Sequence, residues 1–313
     1  MLFEPISEPF IIEERRGVIA VFKPRGWHSV ALPCGQSQTG KSMVDWIITR
    51  ARELPSSELA QSIDTFKSMA MREKDQQASL PPRPARARDR FASELGMLYR
   101  LDFETSGIML FALTRSGFER MKRAQERFEL EKRYVVICSE STVGVPGSLP
   151  VSRASERAAF LEDIREGRGG RVESYFRGYG ERGARVACIA PEFFQKMHKK
   201  TTKIIYTTRF PRGTHLSAAE AARLMPENVS ASSPPGPIVL EAQLRKGFRH
   251  QIRAHCAWMG LPIAGDPLYG GATGERLLLE AYEVALMDEE RIVDKWMLHA
   301  GIEALQGEES SLS

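Results

Sequence analysis

Val18-Ile19-Ala20-Val21-Phe22 is an unbroken apolar run that stops at Lys23-Pro24-Arg25-Gly26, the pattern of a buried strand leaving through a turn. Over 42–52 the apolar residues Met43, Ile47 and Ile48 recur on one side, which predicts a helix. From about 53 to 92 the periodicity fails. Pro55, a Gln/Glu/Lys-rich middle and the segment SLPPRPARARDR predict a flexible insertion with room for one helix. Gly107–Leu113 reads as a second buried strand and Tyr134–Cys138 as a third. Between them, 116–130 predicts an amphipathic helix with Phe118, Met121, Ala124 and Phe128 facing inward. Residues 141–235 are rich in Gly, Ser and Pro in places, so short strands and long loops are expected there. Ile238, Leu240, Ala242 and Leu244 alternate with Val239, Glu241, Gln243 and Arg245, the period of a half-buried strand. A last helix is expected over 250–259, with Ile252, Cys256 and Met259 on one face and Gly260 at its end. Strands and helices mix without regular alternation, so the fold class is α+β rather than a doubly wound sheet.

Composition changes this picture little. The chain has 313 residues, 42% hydrophobic and 27% charged, as in an ordinary soluble globular protein. No run of eighteen apolar residues suggests a membrane span, and the acidic, proline-containing start is neither a signal nor a transit peptide. A cytoplasmic location is expected. The cysteines Cys34, Cys138, Cys188 and Cys256 are widely separated, which suggests buried thiols rather than a zinc site or a disulfide framework. The formal net charge of +4 is compatible with an RNA partner without requiring one. Arginines crowd 83–90 and 165–185, and basic patches of this kind either bind phosphate or form a solvated surface.

Gly35–Ser42 (GQSQTGKS) satisfies the phosphate-loop pattern G-x-x-x-x-G-K-[ST]. Its context is missing. The preceding Val30-Ala31-Leu32 runs into Pro33, and no apolar strand ending in Asp follows to hold magnesium. A nucleotide hydrolase is carried only as a minor alternative.

The stronger constellation begins at 99–107, Tyr-Arg-Leu-Asp-Phe-Glu-Thr-Ser-Gly. An aspartate just before a Thr-Ser-Gly turn and a buried strand can be held rigidly, although a lone Asp in such a place is often only a turn residue. Arg249, His250, Gln251, Arg253 and His255 gather polar groups near a helix start, and Tyr134 opens a strand after Glu131-Lys132-Arg133. An arginine beside a sequestered aspartate keeps it ionised at neutral pH.

These segments resemble the RluA family of pseudouridine synthases. YRLDFETSG is similar to its H-R-L-D-x-x-T-S-G motif, Lys132-Arg133-Tyr134 to its K-x-Y motif, and 247–270 to its G-R-x-H-Q-I-R-x-H…G-x-P-I-x-G-D-x-x-Y-G motif. Lys23-Pro24-Arg25-Gly26 resembles its K-P-x-G turn, and Ser42-Met43-Val44-Asp45 the helix that follows, which accounts for the phosphate-loop match. The likeness runs from about 17 to about 285. It implies the pseudouridine synthase fold, a mixed, mainly antiparallel sheet with flanking helices and a central RNA-binding cleft. It places an N-terminal extension at 1–16, the catalytic domain at 17–305 with the insertion at 53–92, and a tail at 306–313. It implies that Asp102 is the catalytic aspartate, that Tyr134 stacks on the target uracil and is placed to help in proton transfer, that Arg253 pairs with Asp102, and that Arg100 fills the gap left by the flipped nucleotide. Lys23, Arg249, His250 and Gln251 are the further candidates for RNA contact; Lys23 reads equally well as a solvated strand-end lysine. The implied partner is structured RNA, ribosomal or transfer, bound by a monomer with no obligatory protein partner.

Tyr99 stands where the pattern has His, Phe248 where it has Arg, and Leu279-Glu280-Ala281 where it has L-H-A. None of these removes a presumed catalytic residue. A non-catalytic RNA-binding protein on the same scaffold is the alternative they support. The reaction itself moves a base within one nucleotide, so no redox cofactor or metal is expected. His250 and His255 are five apart, on different helix faces, which suits structural or RNA-contacting roles better than metal binding. Asp266, in Gly265-Asp266-Pro267, is expected to be a turn residue that supports the cleft.

Overall fold

The computed structural model describes residues 6–30, 41–53, 59–66, 68, 94–138, 154–196, 201–224, 236–271 and 276–298. The chain divides into two compact units. One comprises Pro5–Leu130 and Asp288–Leu298, the other Met1–Glu4, Glu131–Met287 and His299–Ser313.

The first unit starts with a hairpin. β1 (Phe10–Arg15) and β2 (Val18–Lys23) pair antiparallel, with Arg15 opposite Val18. Arg16 and Gly17 both have positive φ, the two-residue turn whose twist matches paired strands. The hairpin therefore begins inside the segment 1–16 expected as an extension. β2 is buried at every position and pairs on its other edge with β3 (Ser106–Ala112), Lys23 opposite Gly107. Two helices follow their strands. α1 (Met43–Glu53) is capped by Ser42, whose hydroxyl accepts from Asp45 N at 3.1 Å and donates to the Asp45 carboxylate at 2.6 Å. Thr114 caps α2 (Arg115–Glu126) by accepting from Gly117 N.

Met121 and Ala124 of α2 are buried as expected, whereas Phe128 is 47% exposed. The helix ends at Glu126, and Phe128 sits beyond it with φ +61°, so the helical period no longer sets its direction. The phosphate-loop residues 35–40 lie outside the described residues. Lys41 pairs with Glu8 at the surface and lies over the Trp27 ring, and Ser42 is the α1 cap.

The second unit carries a sheet in the order β10-β4-β9-β7-β5-β6, with β8 also on β9. Its strands are β4 (Leu130–Cys138), β5 (Gly170–Tyr179), β6 (Arg185–Ile189), β7 (Tyr206–Phe210), β8 (Gly213–His215), β9 (Ile238–Leu244) and β10 (Leu279–Asp288). Every register given for these pairs is antiparallel. α3 (Ala154–Arg165), α4 (Ala218–Leu224) and α5 (Gln251–Trp258) complete the unit. The class is α+β, as the irregular element order implies.

Two local expectations change. β9 is not half-buried: Val239 and Glu241 are buried along with the apolar face. Glu241 stays inside because Arg212 donates to it at 2.6 Å and Gln243 at 3.0 Å, which offsets the cost of desolvating its charge. α5 is buried on all sides rather than one. Among the described residues no helix is long and apolar enough to cross a membrane, and Cys138, Cys188 and Cys256 are free and buried. Cys34, the insertion beyond residue 68 up to 93 and the tail 306–313 lie outside the described residues.

Candidate active site

Asp102 belongs to the first unit, on the loop that feeds β3, and is half-buried. That loop is tied down from several sides. Ser29 donates its hydroxyl proton to Leu101 O at 2.8 Å and accepts from Leu101 N at 3.1 Å. Gly26 N donates to Phe103 O, and Thr105 N to the Asp102 carbonyl. The His28 ring lies 4.5 Å from that of Phe103. The hydroxyl of Tyr99 donates to Ile108 O at 2.9 Å, so the residue that replaces histidine in the motif fastens the loop to its own strand.

Lys23 is the deepest of these ties. Its side chain is fully buried, and its ammonium donates to Pro24 O, Phe103 O and Thr105 O at 3.0, 3.3 and 2.7 Å. Three protons thus meet three carbonyls, two of them on the Asp102 loop. Burial pushes the ammonium down to about 7, against the pull of the Asp102 and Glu104 carboxylates. The solvated reading of Lys23 does not hold: the side chain is buried and underpins the loop. Arg100, by contrast, is exposed and paired with Glu94 at 2.6 Å.

The other candidates lie in the second unit. Tyr134 is on β4, 6% exposed, opposite Ala242 of β9. Arg253 is at the centre of α5 and wholly buried, where Asp266 accepts from its Nε and Nη2, both at 2.8 Å. The same carboxylate accepts from the Leu268 and Tyr269 amides. This bidentate geometry fixes the guanidinium plane. Asp266 is the turn residue its sequence suggested, and the turn's purpose is to hold an arginine.

His250 enters α5 in the left-handed region, φ +55°. Its Nδ1 is 3.1 Å from the Tyr269 hydroxyl, which accepts from Val186 N. The tautomer of the His250 ring sets which of the two donates across this contact. Burial, with Arg253 and Arg249 nearby, pushes His250 down to about 4. Gln251 is buried too; its amide oxygen accepts from Phe248 N and its NH2 donates to Thr207 O and Thr208 Oγ1. Both ends of this side chain are thus engaged, with the loop at Phe248 and with β7. Arg249 remains exposed, with its guanidinium against the Gly183 and Arg185 carbonyls. His255 is fully buried between Ser174 and Thr208, at 2.9 and 2.7 Å, and burial pushes it down to about 3. Among the described residues no cluster of His, Cys, Asp or Glu could hold a metal.

Sequence reasoning missed three features: Glu94 beside Arg100, the completeness of the Lys23 cage, and an aromatic group of Phe176, Tyr206 and Phe248. Only the last had a signal, the departure at Phe248.

The model of the RNA pseudouridylate synthase family matches residues 67–258. RNA pseudouridine synthase 2, chloroplastic, of Arabidopsis thaliana is 25% identical over 205 residues, 64% of this chain and 36% of that protein. RNA pseudouridine synthase 1 of the same plant is 24% identical over 187 residues, 58% of this chain and 53% of that protein. The chain thus spans between about a third and a half of the length of these curated relatives. The solved structure of human RNA pseudouridylate synthase domain containing 4 aligns with 88% of this chain and 83% of its own at a TM-score of 0.46 and 15% identity.

Proposed function

The chain belongs to the RNA pseudouridylate synthase family, and on that premise we propose that it isomerises a uridine of ribosomal or transfer RNA to pseudouridine with Asp102 as the catalytic carboxylate. The observation that carries this reading is the mounting of Asp102. The loop Leu101–Thr105 is fixed by Ser29, Gly26 and the buried Lys23 ammonium, far more fastening than an exposed turn requires.

The chemistry needs little else. The N-glycosidic bond breaks, the base turns, and carbon five bonds to the sugar; the carbon-five hydrogen leaves as a proton, the freed N1 takes one up, and no electrons are gained or lost. An ionised carboxylate adds to the anomeric carbon, stabilises its positive charge, or takes a proton from the sugar. Glycosidases need a second carboxylate to activate water. Here water would divert the base to hydrolysis and must be excluded. Flipping the target costs a few kcal/mol. In this reading Tyr134 stacks on the uracil and returns about 1–3 kcal/mol, Arg253 supplies a rigid buried cation, and Arg100 leaves Glu94 to occupy the vacated stack. No cofactor takes part, and the chain acts as a cytoplasmic monomer.

Release of tritium from RNA labelled at carbon five of uracil tests this. Wild type is expected to release label from cellular RNA, and Asp102→Asn to lose at least about a thousandfold in rate while still binding RNA. Binding without release by both proteins would favour an RNA-binding protein on this scaffold.

A further inference from the structure

Phe248 departs from the family pattern, and its surroundings show what it has gained. Its ring lies parallel to that of Phe176, with centroids 5.1 Å and planes 4° apart. Tyr206 closes a corner against both, 5.1 Å from Phe248 and 5.7 Å from Phe176. Phe176 is fully buried and backed by His255 at 5.0 Å. Phe248 and Tyr206 are only half-buried. Phe248 therefore has one face on a rigid floor, and its outer face is the accessible one.

The edges of this corner are cationic and apolar. Lys246 and Arg249 bracket Phe248, Lys203 precedes Tyr206 by three residues, and all three are exposed. Ile204 and Ile205 are each 40% exposed beside Tyr206. Core aromatics have no need of such flanks. Aromatic faces ringed by cations are how proteins hold unpaired bases.

Register places the corner on a useful face. Tyr206 is opposite Ser174, so it shares a face of the sheet with Phe176. Arg209 is opposite Gln243 and Tyr134 opposite Ala242; with side chains alternating along strands, Phe210, Thr208 and Tyr206 lie on the Tyr134 face. Two strands across and four residues along separate Tyr206 from Tyr134, roughly 16 Å at standard spacings.

We propose that Phe248 and Tyr206 form a second base-stacking subsite, which takes an unpaired nucleotide of the substrate RNA a short way along the strand from the uridine presented to Tyr134. The inference rests on the RNA reading above and adds where the flanking strand is held. Where the family pattern has an arginine, this chain has a ring for a base, so part of its affinity is independent of salt.

The probe is a fluorescent twelve-nucleotide oligouridylate titrated into the full chain at several salt concentrations. Phe248→Leu and Tyr206→Leu keep apolar bulk and remove the ring. Each is expected to weaken binding about five- to fiftyfold with the slope of log K against log salt unchanged, whereas Arg249→Ala should make that slope shallower by about 0.7. Phe248→Trp is expected to bind like wild type, with indole emission quenched by the probe. This variant keeps the test valid if the leucine variants fold poorly. Wild-type affinity in folded leucine variants, or an indole indifferent to RNA, overturns the subsite and leaves the synthase assignment standing. Failure of the wild type to bind any RNA overturns both.

Discussion

Lys23 shows how much of this protein rests on single buried polar groups. An ammonium with three carbonyl partners inside the first unit fixes the loop of the proposed catalytic residue. Lys23→Met would leave the buried carbonyls of Pro24 and Thr105 without the lysine donor, at about 1–3 kcal/mol each before relaxation. The expected outcome is a kcat/KM lowered ten- to hundredfold through misplacement of Asp102, with RNA affinity little changed; single-turnover rates beside binding titrations separate the two. His255 gives a pH prediction of definite sign. Its folded value of about 3 lies below the ordinary 6.5 because of burial. Between those values the unfolded chain binds the proton and the folded chain does not. This group's contribution is therefore whole above pH 6.5 and is lost as pH falls toward 3, by up to about 1.4 kcal/mol per pH unit. Urea midpoints across that range should fall more steeply in wild type than in His255→Gln. A parallel dependence in the two proteins would contradict it. The hydroxyl partners of His255, Ser174 and Thr208, are 81 and 47 residues away, beyond any local pattern.

Elements built from apolar runs were legible, and those built around charges were not. β2, β3 and β4 appear where the uninterrupted Val/Ile/Leu/Phe segments put them, because a strand buried on both faces must be apolar throughout. β9 and α5 broke their patterns because their charged members are neutralised by partners from other elements. Glu241 of β9 is matched by Arg212 and Arg253 of α5 by Asp266. Periodicity reads Glu as a solvent marker and has no means of seeing the arginine that brings it inside. The α5 pair sets a prediction at this scale. Asp266→Asn keeps the shape and removes the carboxylate charge that the fully buried guanidinium meets bidentately. The expected loss is about 3–5 kcal/mol in unfolding free energy, read from chemical denaturation. A loss below about 1 kcal/mol would mean that the guanidinium finds another partner.

At the scale of the whole molecule, the arginine-rich stretch 165–185 invited two readings, and the structure separates its members. Arg168 is paired with Asp163 and Glu166, and Arg171 with Glu173. Arg171 stands opposite Arg209, on the face of the sheet that Tyr134 does not share. RNA held on the Tyr134 face would pass it by. Arg171→Ala is therefore expected to leave the salt dependence of RNA binding unchanged, unlike Arg249→Ala; an equal drop in slope for both would place phosphates on both faces. The order of motifs along the chain and the buried strands were legible in the sequence alone, because hydrophobic period and local turn chemistry are properties of neighbouring residues. Which ionisable groups face a ligand and which are sealed inside was decided only by tertiary structure. Lys23 and Gln251 became supports, and Phe248 joined Phe176 and Tyr206. The physical reason is that desolvation and pairing depend on partners brought together by the fold from distant positions, and a linear pattern carries no record of them.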